Sequence, residues 1–256
     1  MIKRLKVLSA CIVLCLGFVS HSQALTRSDL RTQIRQQVKD TSSSRQRYSD
    51  SILNNYINEI QRDFVNRTWS IERSTGFDLA VNTTYYDLPD NMIAIKFLHF
   101  TNQSGQKTML DENLERSLMQ QNPDWETEGG NAPTDYLVRT STSASAEIEI
   151  GFFPIPTVVS STGTINMTYF SQVANLSSDN SIPFEGYNVL VPYHDAIVYG
   201  VAAKIMLIEN NTNMANSMLS IYNDLIGISS NRLGRAPNYV PSFSAGPSNR
   251  LRGSGR

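Results

Sequence analysis

The side chains best suited to proton transfer near neutral pH are the histidines, and there are three: His21, His99 and His194. His21 falls in the N-terminal leader, after its apolar run. His99 sits between Leu98 and Phe100, where a sheet residue is the expected role. His194 stands beside Asp195 at a helix start, and the dipole of that helix accounts for the acid. A His–Asp relay would still need a nucleophile on a strained turn, and the sequence has no G-x-S-x-G elbow. Metal chemistry has equally little to work with. No H-E-x-x-H occurs, and both cysteines, Cys11 and Cys15, lie in the N-terminal run. Asp87 and Asp90 could offer oxygen ligands, yet a turn at Pro89-Asp90-Asn91 explains both. Glu147 and Glu149 alternate along one strand and are expected to face solvent. Neither Gly129-Gly130 nor Gly253-Ser254-Gly255 lies between a strand and a helix with a following lysine, so neither reads as a phosphate loop. The sequence therefore predicts no catalytic, cofactor or metal residues, and no enzyme. What remains is a basic tail carrying Arg232, Arg235, Arg250, Arg252 and Arg256. It reads either as a solubilising end or as an arm that folds onto a partner or brushes DNA phosphates.

These residues belong to a chain with a leader. Lys3, Arg4 and Lys6 precede an apolar run of about 13 residues, and Ser22-Gln23-Ala24 supplies small residues at a cleavage site. That run is short of the ~20 residues that span a bilayer. A cleaved export signal over residues 1–24 is the expectation, and it suggests export to the periplasm. Loss of the three leader cations would move the net charge from −1 to −4, mildly acidic and unsuited to bulk polyanion binding. About 230 residues would remain, enough for one good core or two small ones.

Residues 25–70 read as a helical hairpin. Thr26 and Asp29 are spaced as a capping box, and Leu30, Ile34 and Val38 make a narrow apolar stripe. After the polar break at 40–44, Ser49 caps a second helix with Ile52, Leu53, Tyr56, Ile57, Ile60 and Phe64 on one face. From Trp69 the apolar period changes to two, and about seven short strands are predicted over 71–190, with a short helix at 112–121 capped by Asp111. Residues 171–190 show no period. Residues 191–228 form a second helical hairpin, with stripes at Ile197, Val198, Val201, Ile205 and Ile208, then at Met214, Met218, Ile221, Tyr222 and Leu225. Residues 229–256 are rich in Pro, Gly, Ser, Asn and Arg and are expected to be disordered until docked. The predicted fold class is α+β: a helical bundle formed by the N- and C-terminal helix pairs, with an inserted antiparallel β-sandwich or barrel-like segment.

The order of these features resembles the head–tail connector (adaptor) proteins of tailed bacteriophages. The carrying segments are LTRSDLRTQIR at 25–35, YSDSILNNYINEIQRDF at 48–64, YDLPD at 86–90, NPDW at 122–125, GNAPTDY at 130–136, IGFFPIP at 150–156 and PYHDAIVYG at 192–200. The resemblance spans roughly residues 25–226. It implies a virion structural protein: a ring subunit, often one of twelve copies, beneath the portal. Such a ring joins the DNA-filled head to the tail, with portal and tail or neck proteins as partners. Genomic DNA would pass through its channel without sequence-specific contact. No catalytic residues or cofactors come with it. Within the tail, Arg232, Arg235, Tyr239, Phe243, Arg250 and Arg252 are the expected docking residues. The leader departs from this pattern, since virions assemble in the cytoplasm. The alternative reading is an exported, non-enzymatic periplasmic or surface binding protein with an adaptor-like fold; an envelope hydrolase is less favoured for want of a nucleophile.

Overall fold

The structure is a computed structural model that describes residues 24–130, 132–140, 148–158 and 162–233. Residues 1–23 of the expected leader and 234–256 of the expected tail lie outside them. In chain order the elements are α1 (Arg27–Gln37), α2 (Asp50–Thr68), β1 (Glu72–Asp78), β2 (Tyr85–Asp87), β3 (Met92–Asn102), β4 (Lys107–Met109), β5 (Asp111–Glu112) and α3 (Glu115–Gln121). Then follow β6 (Gly129–Gly130), β7 (Asp135–Thr140), β8 (Ile148–Phe153), β9 (Ile155–Pro156), β10 (Gly163–Ser171), α4 (His194–Ile208) and α5 (Thr212–Leu233). The class is mixed α+β, and the chain forms two compact units. One contains the residues up to Phe64 together with Ala174–Ser229; the other contains Val65–Val173.

In the helical unit, α1 starts on its capping box. The Thr26 hydroxyl accepts from the Asp29 amide at 3.2 Å, and the Asp29 carboxylate accepts from the Thr26 amide at 2.9 Å. The Thr26 hydroxyl also donates to the Asp29 carboxylate at 2.7 Å, and this bond, with the one from the Thr26 amide, holds the Asp29 carboxyl below its usual range. Leu30, Ile34 and Val38 are buried. The Ser49 hydroxyl accepts from the Ile52 amide at 3.3 Å and opens α2. Leu53, Ile57 and Phe64 of that helix are buried, whereas Ile52 remains 40% exposed at the edge of the stripe. The polar break between the two helices is built around Asp40, itself buried. Its carboxylate accepts from Arg35 Nη1 at 2.8 Å and from the Arg47 amide at 2.9 Å.

The most enclosed element is α4. Pro192 lies in a 3₁₀ turn, Asn188–Tyr193, that leads into it. Ala196, Ile197, Val198, Val201, Ala202, Ala203, Ile205 and Met206 are all buried, so apolar residues cover most of its circumference. Asn188–Ile208 is long and apolar enough to cross a membrane by composition, but most of it is buried in this unit. Ile208, expected in the stripe, is 53% exposed. On α5 the buried face is Ala215, Met218, Tyr222, Ile226 and Ser229. Ile221 is therefore turned outward, and the helix continues to Leu233, past the expected end at 228. Burial of Ser229 extends the core contact of α5 into what composition alone marks as tail.

The β unit departs from the expected segment in three ways. Its sheets are open, with none closed into a barrel: β1-β10-β3-β4, β2-β8-β7-β5 and the pair β6-β9. Two pairings, β5 with β7 and β6 with β9, are parallel. The short helix begins at Glu115 and not at 112, because Asp111–Glu112 are taken into β5 and Leu114 stands at its N-cap without a side-chain cap bond. Both four-stranded sheets contribute to one core, with Leu98, Phe100, Ile165 and Met167 from the first and Tyr136, Ile150 and Phe152 from the second. The Phe77 and Phe152 rings meet across it at 5.7 Å.

A test of the helical packing follows from Gly200 of α4. A Cβ there would lie 2.6 Å from the Ile60 Cγ2 of α2. Gly200→Leu is expected to destabilise this unit by about 1–3 kcal/mol through overpacking, read as faster amide hydrogen exchange along α4. Unchanged protection would mean that α4 and α2 do not meet at this glycine.

Candidate functional site

Among the described residues, His99 and His194 lie in different units, each in its own structural setting. His99 is half-buried in β3, opposite Asn166 of β10 and Met109 of β4. His194 is buried, and its Nδ1 accepts from the Leu25 amide at 3.0 Å. Its ring lies 5.7 Å from that of Phe184. Desolvation lowers its pKa to about 4, so the imidazole is neutral at physiological pH and ties the chain before α1 to the start of α4. Asp87 and Asp90 are both exposed, with the Met92 amide closing the turn onto the Pro89 carbonyl at 2.9 Å. Glu149 does not face solvent freely as expected: Arg139 Nε reaches it at 3.2 Å and leaves its side chain 17% exposed. Glu147 lies outside the described residues. Among the described residues, no group of three or more His, Cys, Asp or Glu is placed to hold a metal ion.

Of the expected tail residues, Arg232 lies exposed in the last turn of α5. Arg235, Tyr239, Phe243, Arg250 and Arg252 lie outside the described residues.

The aperiodic stretch at 171–190 turns out to be a polar-anchored strap, and 174–190 belongs to the helical unit. Gln61 of α2, fully buried, donates to the Ala174 carbonyl at 3.0 Å and accepts from the Phe184 amide at 2.9 Å. Asn58 accepts from the Leu176 amide at 2.8 Å. Arg27 and Arg31 of α1 both reach Asp179 at 2.8 Å, and these bonds hold its carboxyl well below the usual range. Phe184 and Glu185 have φ of 54° and 56°, strained for residues with a side chain. The strap is held there by the Gln61 bond and by burial of the Phe184 ring, 5.0 Å from that of Phe64. These bonds fasten the strap to α1 and α2.

The β unit carries a groove of about 420 Å³ between β3, β7 and the start of α3. Its rim bears Glu112 and Glu115, and its apolar lining includes Val138, Ile148 and Leu114, which are 39%, 47% and 64% exposed. Val138 stands opposite Ile150 and Ile148 opposite Thr140 in the β7–β8 register, so both apolar side chains share the face that supplies Tyr136 and Ile150 to the core. Behind the groove, the Arg139 guanidinium sits 3.3 Å over the Tyr85 ring, whose hydroxyl donates to Glu126 at 3.1 Å. Burial above all pushes the Tyr85 phenol up to about 12. Sequence reading missed the groove because Val138 and Ile148 read as ordinary strand apolars. The exposure follows from where β5 ends, at Glu112, short of the full edge of β7, and a two-residue strand leaves no period in the sequence. The groove offers an apolar surface for binding.

The tie between His194 and Leu25 has a pH signature. An unfolded histidine takes its proton near 6.5, whereas the folded one stays neutral down to about 4. Between those values the unfolded state binds more protons, so stability is fully present above 6.5 and falls as pH drops toward 4. His194→Gln is expected to remove that part of the slope in denaturation measured from pH 7 to 4. An identical slope in the variant would show that this imidazole is not the group responsible.

A family model described as SU10 adaptor protein matches residues 25–241 of this chain. Among solved structures, one similar chain comes from a structure titled "Neck of empty GTA particle computed with C6 symmetry". It has 16% sequence identity, covers 71% of this chain and 77% of that chain, and has a TM-score of 0.25. No match was found among curated proteins. With most of its length matched, the chain belongs to the SU10 adaptor protein family.

Proposed function

We propose that this member of the SU10 adaptor protein family is a structural subunit of a virion neck. In this reading it is a head–tail connector that assembles as a ring beneath the portal and joins the head to the tail. The observation that carries the reading is the family match over residues 25–241. The site geometry is compatible with it. The only buried histidine among the described residues, His194, is used as a structural tie, and the polar belt around Gln61 stiffens the helical unit without presenting a reactive group. Partners in this reading are portal and tail proteins and further copies of the chain, a dodecamer being the expected count. DNA passes through the opening without sequence-specific contact. The two helix pairs form the body, and the β unit is the inserted segment that faces partners.

The tail is proposed as a docking arm. It begins after the last described residue of α5, Leu233, and not at Ser229, whose side chain is buried. Tyr239 and Phe243 are its anchors, with Arg235, Arg250 and Arg252 around them and Arg232 at its root. Arginines and aromatics on such an arm recover the cost of ordering only when they bury against a partner. Deleting residues 234–256 is expected to leave the melting transition of the isolated protein nearly unchanged while abolishing completed particles. Infectious particles at normal yield from the truncated protein would refute the arm. Absence of the full-length protein from purified necks would refute the connector reading.

A further inference from the structure

Among the described residues, the edge of β7 is open where the groove lies. Two backbone bonds run from the segment containing β5 to β7, from the Asp111 amide to the Thr134 carbonyl at 3.0 Å and from the Asn113 amide to the Tyr136 carbonyl at 2.8 Å. On that side even-numbered residues of β7 present their backbone, while odd-numbered ones face β8. The register continues with β8 to Thr140, but β5 pairs only as far as Tyr136. Val138 and Thr140 therefore turn backbone N–H and C=O groups toward the groove without a strand beside them among the described residues. Across the groove β3 is in the same position. It pairs with β4 only over His99–Thr101, while Met92–Ile95 line the cavity. Open strand edges beside an apolar floor make a site for one added extended strand.

A segment of this chain has the pattern that such a site requires. Pro237, Pro241 and Pro247 are all odd-numbered. In an extended strand, alternate residues present their backbone to opposite edges, so every missing N–H falls on one edge. The other edge, carrying Asn238, Val240, Ser242 and Ser244, keeps all its donors. Prolines confined to the outer edge are what an edge strand tolerates, and they block a further strand from adding. Laid parallel to β7, as β5 is, the strand would set its outward-bonding residues Tyr239, Pro241 and Phe243 on the face of Val138 and Ile148, able to cover both. The arginines at 235 and 250 flank this run and complement Glu112 and Glu115 on the rim.

We propose that residues 238–244 of a neighbouring copy enter this groove as an added strand on β7. The neighbour is the occupant because a ring needs a joint between copies; to that extent the proposal rests on the connector reading above. The strand then links subunits through backbone bonds at Val138 and Thr140, with the two aromatics as anchors.

The test uses the full chain with Cys11→Ser and Cys15→Ser. A mass-tagged copy carrying Val138→Cys is co-expressed with an untagged copy carrying Pro241→Cys, which leaves both aromatics intact. Mild oxidation is expected to give a disulfide between tagged and untagged chains. Adding Ser242→Pro to the untagged copy removes an N–H from the pairing edge, and the yield of that bridge should fall about tenfold. Ala245→Pro, on the outer edge, should leave it unchanged. Equal effects from the two prolines would overturn the strand geometry. A bridge formed only within a chain carrying both cysteines would assign the groove to its own tail and overturn the neighbour. Rings in electron micrographs without any bridge would overturn the groove assignment alone, whereas absence of rings would remove the connector reading and this proposal together.

Discussion

A helix that is apolar around most of its circumference cannot stand at a surface, and α4 imposes that constraint on the helical unit. Its burial requires partners on several sides. The α2 helix approaches at Gly200, where the missing side chain leaves room for Ile60. The α5 helix meets the same glycine through the ring of Tyr222, whose hydroxyl donates to Asp63 of α2 at 2.6 Å. The start of α4 is tied by His194 to Leu25, just before the capping box of α1. At its far end Glu209 takes the Tyr48 hydroxyl at 3.0 Å and an ion pair from Arg47. Arg47 also donates its backbone amide to the buried Asp40. The N-terminal hairpin is thus fastened to both ends of the apolar helix by polar groups, while the apolar stripes supply the burial.

The β unit works under a different rule. Its two four-stranded sheets share a core, but at one end the strands stop pairing before the core is covered. Apolar residues that continue the inner face, Val138 and Ile148, then reach solvent. In an assembly protein such an unfinished edge is a place for a partner, since backbone groups and apolar floor are both available there. The helical unit keeps its shape through internal polar ties; among the described residues the β unit keeps an open edge. That division suits a subunit whose function is to bind other chains, and it is consistent with membership of the adaptor family.

Much of the helical architecture was legible in the sequence. Thr26 and Asp29 announced a cap, and Leu30, Ile34 and Val38 a buried face, because both signals are local and periodic. The strap at 174–190 was not legible. Its order comes from Gln61, Asn58, Arg27 and Arg31, more than a hundred residues away in sequence, bonding to main chain and to Asp179. No period within the strap records those bonds. The two-residue strands β5, β6 and β9 were equally hidden, since a period of two needs more than two residues to show. At the candidate site, apolar strand residues could be recognised at Val138 and Ile148, but their exposure depends on where β5 ends.

The central claim is that this chain is built to assemble with copies of itself. Native mass spectrometry of the purified full-length protein over a range of concentrations tests it most directly. The account predicts one dominant species at a fixed multiple of the chain mass, large enough to close a ring. A single chain at every concentration would contradict it.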